Sequence, residues 1–273
     1  MIVFPHCKIN LGLSIIAKRA DGYHELDTVF YPVALTDVLE IIASNDVSNS
    51  IEFTSSGLEI PGDHTHNLCV KAYHLLKQDF PELPSVKMHL HKNIPMGAGL
   101  GGGSSDGTAV LKLLNQQFNL GLNTNQLVEY ASTLGSDCAF FVYENACHAK
   151  GRGEILQAFN GDLSNYTIVL IHPGIHISTA WAFSQLNPKN KQKSIAEIVA
   201  GPIEKWKNDL INDFEAPIIK AYPVIGDLKQ KLYEQGAIYA SMTGSGSSIF
   251  GIFPKEQKRT NKMFDTEFRI DII

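Results

Sequence analysis

The chain has 273 residues, 44% hydrophobic and 19% charged, with a net charge of −5. That length and apolar content support one large core or two ordinary ones, and the acidic balance gives no electrostatic draw toward nucleic acid or an anionic membrane surface. No apolar run approaches the roughly 18 residues of a membrane-spanning helix.

The N-terminal Met1-Ile2-Val3-Phe4-Pro5-His6 lacks the basic start of a secretory signal. Residues 7–16 read as an apolar strand. Lys8 lies inside it, and a buried ammonium must find a partner or water. Asp21-Gly22 is a turn signal, followed by Tyr23 and His24, whose rings can stack on and hydrogen-bond to a planar ligand. Residues 38–42 and 51–53 read as further strands. Leu68, Ala72, Leu75 and Leu76 have helical spacing within 67–80, and Pro81 and Pro84 stop that helix. Residues 86–91 alternate apolar and polar, as a half-exposed antiparallel strand does. After a glycine-rich run, a helix is expected over 108–118. Another starts at Thr124 as N-cap, with Leu127, Val128, Ala131 and Leu134 on one face, and ends at Gly135-Ser136-Asp137. Residues 139–143 and 147–149 read as strands.

Turn-rich stretches at 151–154 and 160–162 suggest a boundary that divides the chain into 1–158 and 159–273. Residues 167–172 form a continuous apolar strand, with Thr179 and Phe183 at helical spacing just beyond it. Residues 187–193 are a basic polar loop, read as a solvated connection. Residues 195–199 and 202–219 look helical, the second interrupted at Pro217, and 227–235 is a helix closed by Gly236. Residues 239–253 carry a small-residue loop, Met242-Thr243-Gly244-Ser245-Gly246-Ser247-Ser248, and then an aliphatic strand. Strands and helices mix without strict β-α-β alternation, which makes the fold class α+β. Cys7, Cys69, Cys138 and Cys147 form no Cys-x-x-Cys pair. Scattered thiols in a chain this long fit a reducing compartment, so a cytoplasmic protein is expected.

The run Pro95-Met96-Gly97-Ala98-Gly99-Leu100-Gly101-Gly102-Gly103-Ser104-Ser105 is the strongest chemical signal. Small residues let backbone N–H groups and hydroxyls close around an anion, and a helix N-terminus follows; together these make a phosphate site. Gly97-x-Gly99-x-x-Gly102 formally matches the dinucleotide fingerprint. However, the preceding strand alternates, and no acidic residue follows at the distance a ribose contact needs. Asp106 stands where a Walker loop needs Gly-Lys-Ser/Thr. A flexible linker would lack the flanking strand and helix. Phosphoryl transfer also needs positive charge and a proton acceptor. Lys8 and Asp137 are the candidates, although each also reads as an ordinary strand or turn residue. A nucleotide-binding protein without catalysis would need neither.

Cys7-Lys8-Ile9-Asn10-Leu11, Asp21-Gly22-Tyr23-His24, the glycine run, Gly135-Ser136-Asp137 and Thr243-Gly244-Ser245-Gly246 occur in that order. Together they resemble the GHMP small-molecule kinases. The resemblance implies a two-domain GHMP kinase fold, with a ribosomal protein S5 domain 2-like N-terminal half and a ferredoxin-like C-terminal half. It implies ATP as co-substrate, with Mg2+ following from ATP chemistry, and no nucleic acid or membrane partner. The first two segments point, within the family, to a small-molecule acceptor carrying a cytidine diphosphate rather than to homoserine or mevalonate. Carried over by position, Asp137 is the general base and Lys8 its partner. Pro95 to Ser105, Asn67, Lys92 and Asp106 bind ATP, the last three near adenine. Asn10, Tyr23, His24, Thr179 and Phe183 hold the acceptor, with Tyr23 and Phe183 stacking on cytosine, and Gly244 and Gly246 approach its phosphates. Cys138-Ala139 stands where the family usually has Val-Pro, which bears on the turn holding Asp137. Neither metal ligands nor an oligomeric state can be read from the sequence.

Overall fold

Val86, Met88 and Leu90 are buried, while Lys87 and His91 between and beyond them are exposed. This alternation reflects a strand with one covered face. The computed structural model describes residues 1–44, 50–186, 188, 192–256, 260–264 and 266–273, so positions 187 and 189–191 of the basic loop lie outside the described residues. The chain forms two compact units: Met1–Cys7, Ala34–Met96 and Gly101–Glu144 make the first, and Lys8–Val33, Gly97–Leu100 and Asn145–Ile273 the second. They interleave along the sequence, so they do not coincide with a single cut between 158 and 159.

In the first unit, a sheet runs in the order Ile2–Val3, Val38–Ala43, Val86–Lys92, Ile51–Gly57. Val86–Lys92 pairs antiparallel with Val38–Ala43 but parallel with Ile51–Gly57. The sheet is therefore mixed, and the antiparallel expectation holds on one side only. Alternation reports one-sided burial, not the direction of the neighbouring strand. The covered face (Leu39, Ile41, Met88 and Leu90) packs on Cys69, Ala72, Tyr73 and Leu76 of the Leu68–Asp79 helix and on Val110, Leu111 and Leu114 of the Gly102–Gln117 helix. The latter helix begins at Gly102 rather than Thr108. Glycine is a poor helix former, but a Cβ at Gly102 would lie 2.8 Å from Ile94 and 3.0 Å from the Lys92 ammonium, so packing overrides propensity.

Two further expectations for this unit are corrected. The Thr124–Leu134 helix is capped by Asn123, not Thr124: Asn123 Oδ1 accepts from Gln126 N (3.1 Å) and Gln126 Oε1 accepts from Asn123 N (3.0 Å). This reciprocal pair satisfies two otherwise orphaned donors. Residues 139–143 are not a strand. Phe140–Tyr143 is a short helix, entered through turn bonds from Cys138 N to Gly135 O and Phe141 N to Cys138 O. Burial of Phe140 and Phe141 in a helical turn outweighs the strand preference of aromatic residues.

In the second unit, one sheet is ordered Tyr239–Met242, Ile249–Pro254, Tyr166–His172, Arg269–Ile272, all antiparallel. Its Val169, Ile171, Ala240 and Phe253 pack against Ile218, Ile225, Leu228 and Leu232, which lie on the Glu215–Ala221 and Pro223–Glu234 helices. The last helix starts with a proline at its first position, ahead of the expected 227. The helical stretch expected over 202–219 is broken at Leu210, which is extended, and not at Pro217. Pro217 sits in the first turn of Glu215–Ala221, where a missing N–H costs little. The break frees Asn212, which forms a bridge with Leu13. A second sheet orders His6–Lys18, His24–Thr36, Cys147–Gly151 and Ile155–Ala158. The sequence reading did not anticipate His24–Thr36, because Pro32 inside it argues against a strand. All four cysteines are buried, and none is joined in a disulfide. Among the described residues, no helix is long and apolar enough to cross a membrane.

If Asn123 carries the cap, Asn123→Ala lowers stability by about 1 kcal/mol in urea melts, while Thr124→Ala stays within about 0.5 kcal/mol. The reverse order would restore Thr124 as the cap.

Candidate active site

The strand His6–Lys18 holds Lys8 and Asn10 on one face, two residues apart, both buried. Lys8 Nζ donates to Asn10 Oδ1 at 2.7 Å and lies 4.9 Å from the Phe30 ring centroid. Asn10 Nδ2 donates to Thr28 Oγ1 (3.0 Å), and Thr28 in turn donates to Gly12 O. The Thr243 hydroxyl accepts from Asn10 N at 3.0 Å and lies 3.2 Å from Asn10 Oδ1 and 3.1 Å from Gly99 O. This chain of contacts fixes which end of the Asn10 amide faces Lys8.

The first half of the glycine run, Gly97–Leu100, belongs to the same unit as Thr243. Gly99 has φ +78°, and a Cβ there would lie 2.1 Å from Thr243 O. Only glycine allows these two backbones to meet at this distance. Ser248 N donates to Ala98 O (3.3 Å), and Asn212 Nδ2 donates to Met242 O (2.8 Å) and Gly244 O (2.9 Å). The loop holding Gly244 and Gly246 is therefore pinned from both sides. Thr179 Oγ1 lies 3.3 Å from Ser245 Oγ.

Of the two rings expected to sandwich a base, each has another neighbour. Phe183 stacks on His24, with centroids 4.8 Å apart and planes 21° apart. Tyr23 is exposed, with the Arg152 guanidinium 4.8 Å over its ring. Burial and the nearby Lys18 hold the His24 imidazole below its usual value, which favours the neutral ring.

The rest of the predicted residues lie in the first unit. Pro95 and Met96 precede the loop, and from Gly101 (φ +71°) the chain turns into the Gly102–Gln117 helix with Gly103, Ser104 and Ser105 in its first turn. Thr108 Oγ1 donates to the carbonyls of Ser104 (2.8 Å) and Cys138 (3.0 Å). This shared hydroxyl ties the helix start to the turn that carries Asp137, a half-buried carboxylate. Asn67 caps the Leu68–Asp79 helix through Oδ1 to Cys69 N (2.8 Å), which leaves its NH2 for other partners.

Lys92 and Asp106 are both 2% exposed and face each other. Lys92 Nζ donates to Asp106 Oδ2 at 2.8 Å and also to Asp37 Oδ2. Asp37 Oδ1 accepts from Asn93 N (2.5 Å) and Ile94 N (2.8 Å), so its charge is well compensated. Asp106 Oδ1 has no hydrogen-bond partner among the described residues. Burial pushes the Asp106 carboxyl up to about 7, with Lys92 opposing and Asp37 adding to the rise. For Lys92, burial pulls the ammonium down, but Asp106 and Asp37 outweigh it and leave it raised.

The sequence reading missed Asp37, Thr28, Thr108, Asn212 and the role of Thr243. Asp37 carried a signal, being a carboxylate between two apolar strands, where an ion needs a partner. The hydroxyls and Asn212 carried none, because the partners that define their roles are 16 to 233 residues away.

Asp106 generates a stability prediction. Its folded-state pKa lies above the ordinary carboxylate value of 3.8. Between the two values the folded chain keeps a proton that the unfolded chain releases, so its contribution to stability falls as pH rises from about 4 to about 7. Melting temperatures across that range are expected to drop relative to those of Asp106→Asn, in which this titration is absent. A constant difference between the two proteins would remove Asp106 as the titrating group.

Residues 67–145 match the GHMP kinases N terminal domain and residues 194–262 the GHMP kinases C terminal model. A 4-diphosphocytidyl-2-C-methyl-D-erythritol kinase of Bacteroides fragilis is 50% identical over 268 residues, covering 98% of this chain and 97% of the relative. A protein of the same name from Cytophaga hutchinsonii is 48% identical over 254 residues, covering 93% and 92%. The crystal structure of a 4-(cytidine 5'-diphospho)-2C-methyl-D-erythritol kinase superposes with a TM-score of 0.81 at 29% identity, covering 100% of this chain and 98% of that one. A homoserine kinase from Cytophaga hutchinsonii, at 16% identity and a TM-score of 0.68, shares the fold, covering 98% of this chain and 94% of its own. Two matched domain models and near full-length identity agree with the glycine loop and its surroundings: the chain belongs to the GHMP kinase family.

Proposed function

We propose that this protein transfers the γ-phosphoryl group of ATP to the 2-hydroxyl of 4-diphosphocytidyl-2-C-methyl-D-erythritol, giving the 2-phosphate and ADP in the non-mevalonate route to isoprenoid precursors. The observation that carries this reading is the 50% identity over 98% of the chain to a kinase of that name. The stacked His24–Phe183 pair, a ring platform suited to a pyrimidine, supports it. Four buried cysteines without a disulfide fit a reducing compartment, and we place the reaction in the cytoplasm.

In this reading Asp137 accepts the proton of the tertiary hydroxyl as its oxygen attacks the γ-phosphorus. The bond from that phosphorus to the β,γ-bridging oxygen breaks, and ADP leaves. Lys8, aimed by Asn10, holds the acceptor oxygen; its ammonium cannot swing freely because Asn10 is itself locked by Thr28 and Thr243. A tertiary alcohol is hindered, so holding it in line supplies much of the rate. The glycine run and the first turn of Gly102–Gln117 receive the ATP phosphates.

Mg2+ takes few protein ligands when it arrives on nucleotide phosphates, and no cluster of three or more His, Cys, Asp or Glu gathers among the described residues. The Ser104 hydroxyl, in the first turn of the Gly102–Gln117 helix, would offer the ion an oxygen ligand beside those phosphates. When bound, the ion neutralises phosphate charge.

ADP release measured with Mg-ATP and a panel of acceptors is expected to show turnover with the diphosphocytidyl acceptor and none with homoserine or mevalonate; the opposite preference would reject the assignment. Asp137→Ala is expected to lower kcat by about 100- to 10,000-fold while ATP still binds. A variant with near-normal kcat would remove Asp137 as the base.

A further inference from the structure

The segments Gly97–Leu100, 175–179 and 243–248 lie together in the second unit. Ser247 Oγ donates to Ile175 O at 2.6 Å, and a Cβ on Gly246 would lie 3.0 Å from the Ile177 side chain. Ile177 is buried in the core, so the chain on both sides of position 176 is fixed. His176 between them is exposed, and its Nδ1 lies 3.1 Å from where a Cβ on Gly97 would be. Gly97 is itself exposed, with φ +62°. The imidazole therefore stands over the turn that opens the glycine run, and three residues further on Thr179 Oγ1 lies 3.3 Å from Ser245 Oγ.

These three segments otherwise consist of glycine, alanine, aliphatic residues, serine and threonine, so His176 is their one ionisable side chain. Their hydroxyls and tight glycine turns suit phosphate oxygens, but a diphosphate also needs a strong donor or a positive charge. The start of the Gly102–Gln117 helix, which receives the ATP phosphates, belongs to the other unit. Thr179 and Gly244, expected at the acceptor, belong to the unit that holds Asn10, His24 and Phe183. Together with His176 they suit the acceptor's anion.

We propose that His176 is a binding and specificity residue, donating a ring N–H to the diphosphate of the cytidyl acceptor. The inference rests on the functional reading above and extends it to a residue outside the motifs that revealed the family. It assigns His176 no part in proton transfer, so its removal weakens acceptor binding without slowing the bound complex.

The test uses the full chain and its His176→Ala variant, with CDP and cytidine as dead-end probes in calorimetry and with steady-state kinetics on the diphosphocytidyl acceptor. The variant is expected to bind CDP at least about tenfold more weakly, as loss of a hydrogen bond to a charged group implies. Cytidine, which lacks the diphosphate, is expected to bind within about twofold of wild type, and this also reports that the variant is folded. KM for the acceptor is expected to rise, with kcat and KM for ATP within about twofold. Equal losses for CDP and cytidine, unchanged CDP affinity, or a rise confined to KM for ATP would each overturn the proposal. If the wild-type protein does not turn over the acceptor, the functional reading itself falls. If it does and CDP affinity is indifferent to His176, only this inference falls.

Discussion

One hydroxyl organises the second unit. Thr243 Oγ1 meets the backbone N–H and side-chain oxygen of Asn10 on one side and the carbonyl of Gly99 on the other. Through it the strand that carries Lys8, the turn that opens the glycine run and the small-residue loop at 243–248 share one geometry. Deleting a buried hydroxyl of this kind leaves acceptors unsatisfied, a cost of about 1–3 kcal/mol each. The contact also explains the glycines around it. Gly99 lies too close to Thr243 to carry a side chain, and Gly244 has φ +56° with the backbone of Gly99 about 3.1 Å from its missing Cβ. These residues make a rigid close approach rather than a flexible loop.

The first unit depends on charge where the second depends on hydroxyls. Lys92 bridges Asp37 and Asp106 in a nearly dry setting. Such a cluster is weak evidence for stability, because desolvation opposes the attraction. Its effect is positional. Asp37 grips the backbone at Asn93 and Ile94, and Lys92 fills the space under Gly102, so the strand end and the start of the Gly102–Gln117 helix are tied at one point. Asp106 bears the electrostatic cost, with an orphaned oxygen and a carboxyl held near neutrality.

The sequence made the parts of the site legible more readily than their mutual support. The glycine run, Lys8, Asp137 and the Asp-Gly-Tyr-His turn stand out because each is a local anomaly: too many glycines, a lysine in an apolar strand, a carboxylate beside apolar residues. The α+β class followed from the order of elements. The strand His24–Thr36 stayed hidden because Pro32 obeys local rules that tertiary pairing overrides, and Phe140–Tyr143 read as a strand because its aromatics are buried by contacts the local sequence does not encode. Lys8 and Asn10 were legible as candidates, but Thr28 and Thr243, which hold them, are ordinary threonines until folding places them. The ring pairing shows the same limit. Phe183 stacks on His24 and Tyr23 lies against Arg152, contacts between distant segments that the local sequence does not encode.

The central claim concerns where the phosphoryl group goes, and the most direct measurement is the phosphorus NMR spectrum of the product formed from ATP and 4-diphosphocytidyl-2-C-methyl-D-erythritol. The account predicts one new phosphomonoester resonance on the methylerythritol 2-oxygen, an intact diphosphate, and one ADP for each product formed. A phosphoryl group on the cytidine ribose or on another erythritol oxygen, or ADP formed with no phosphorylated acceptor, would contradict it.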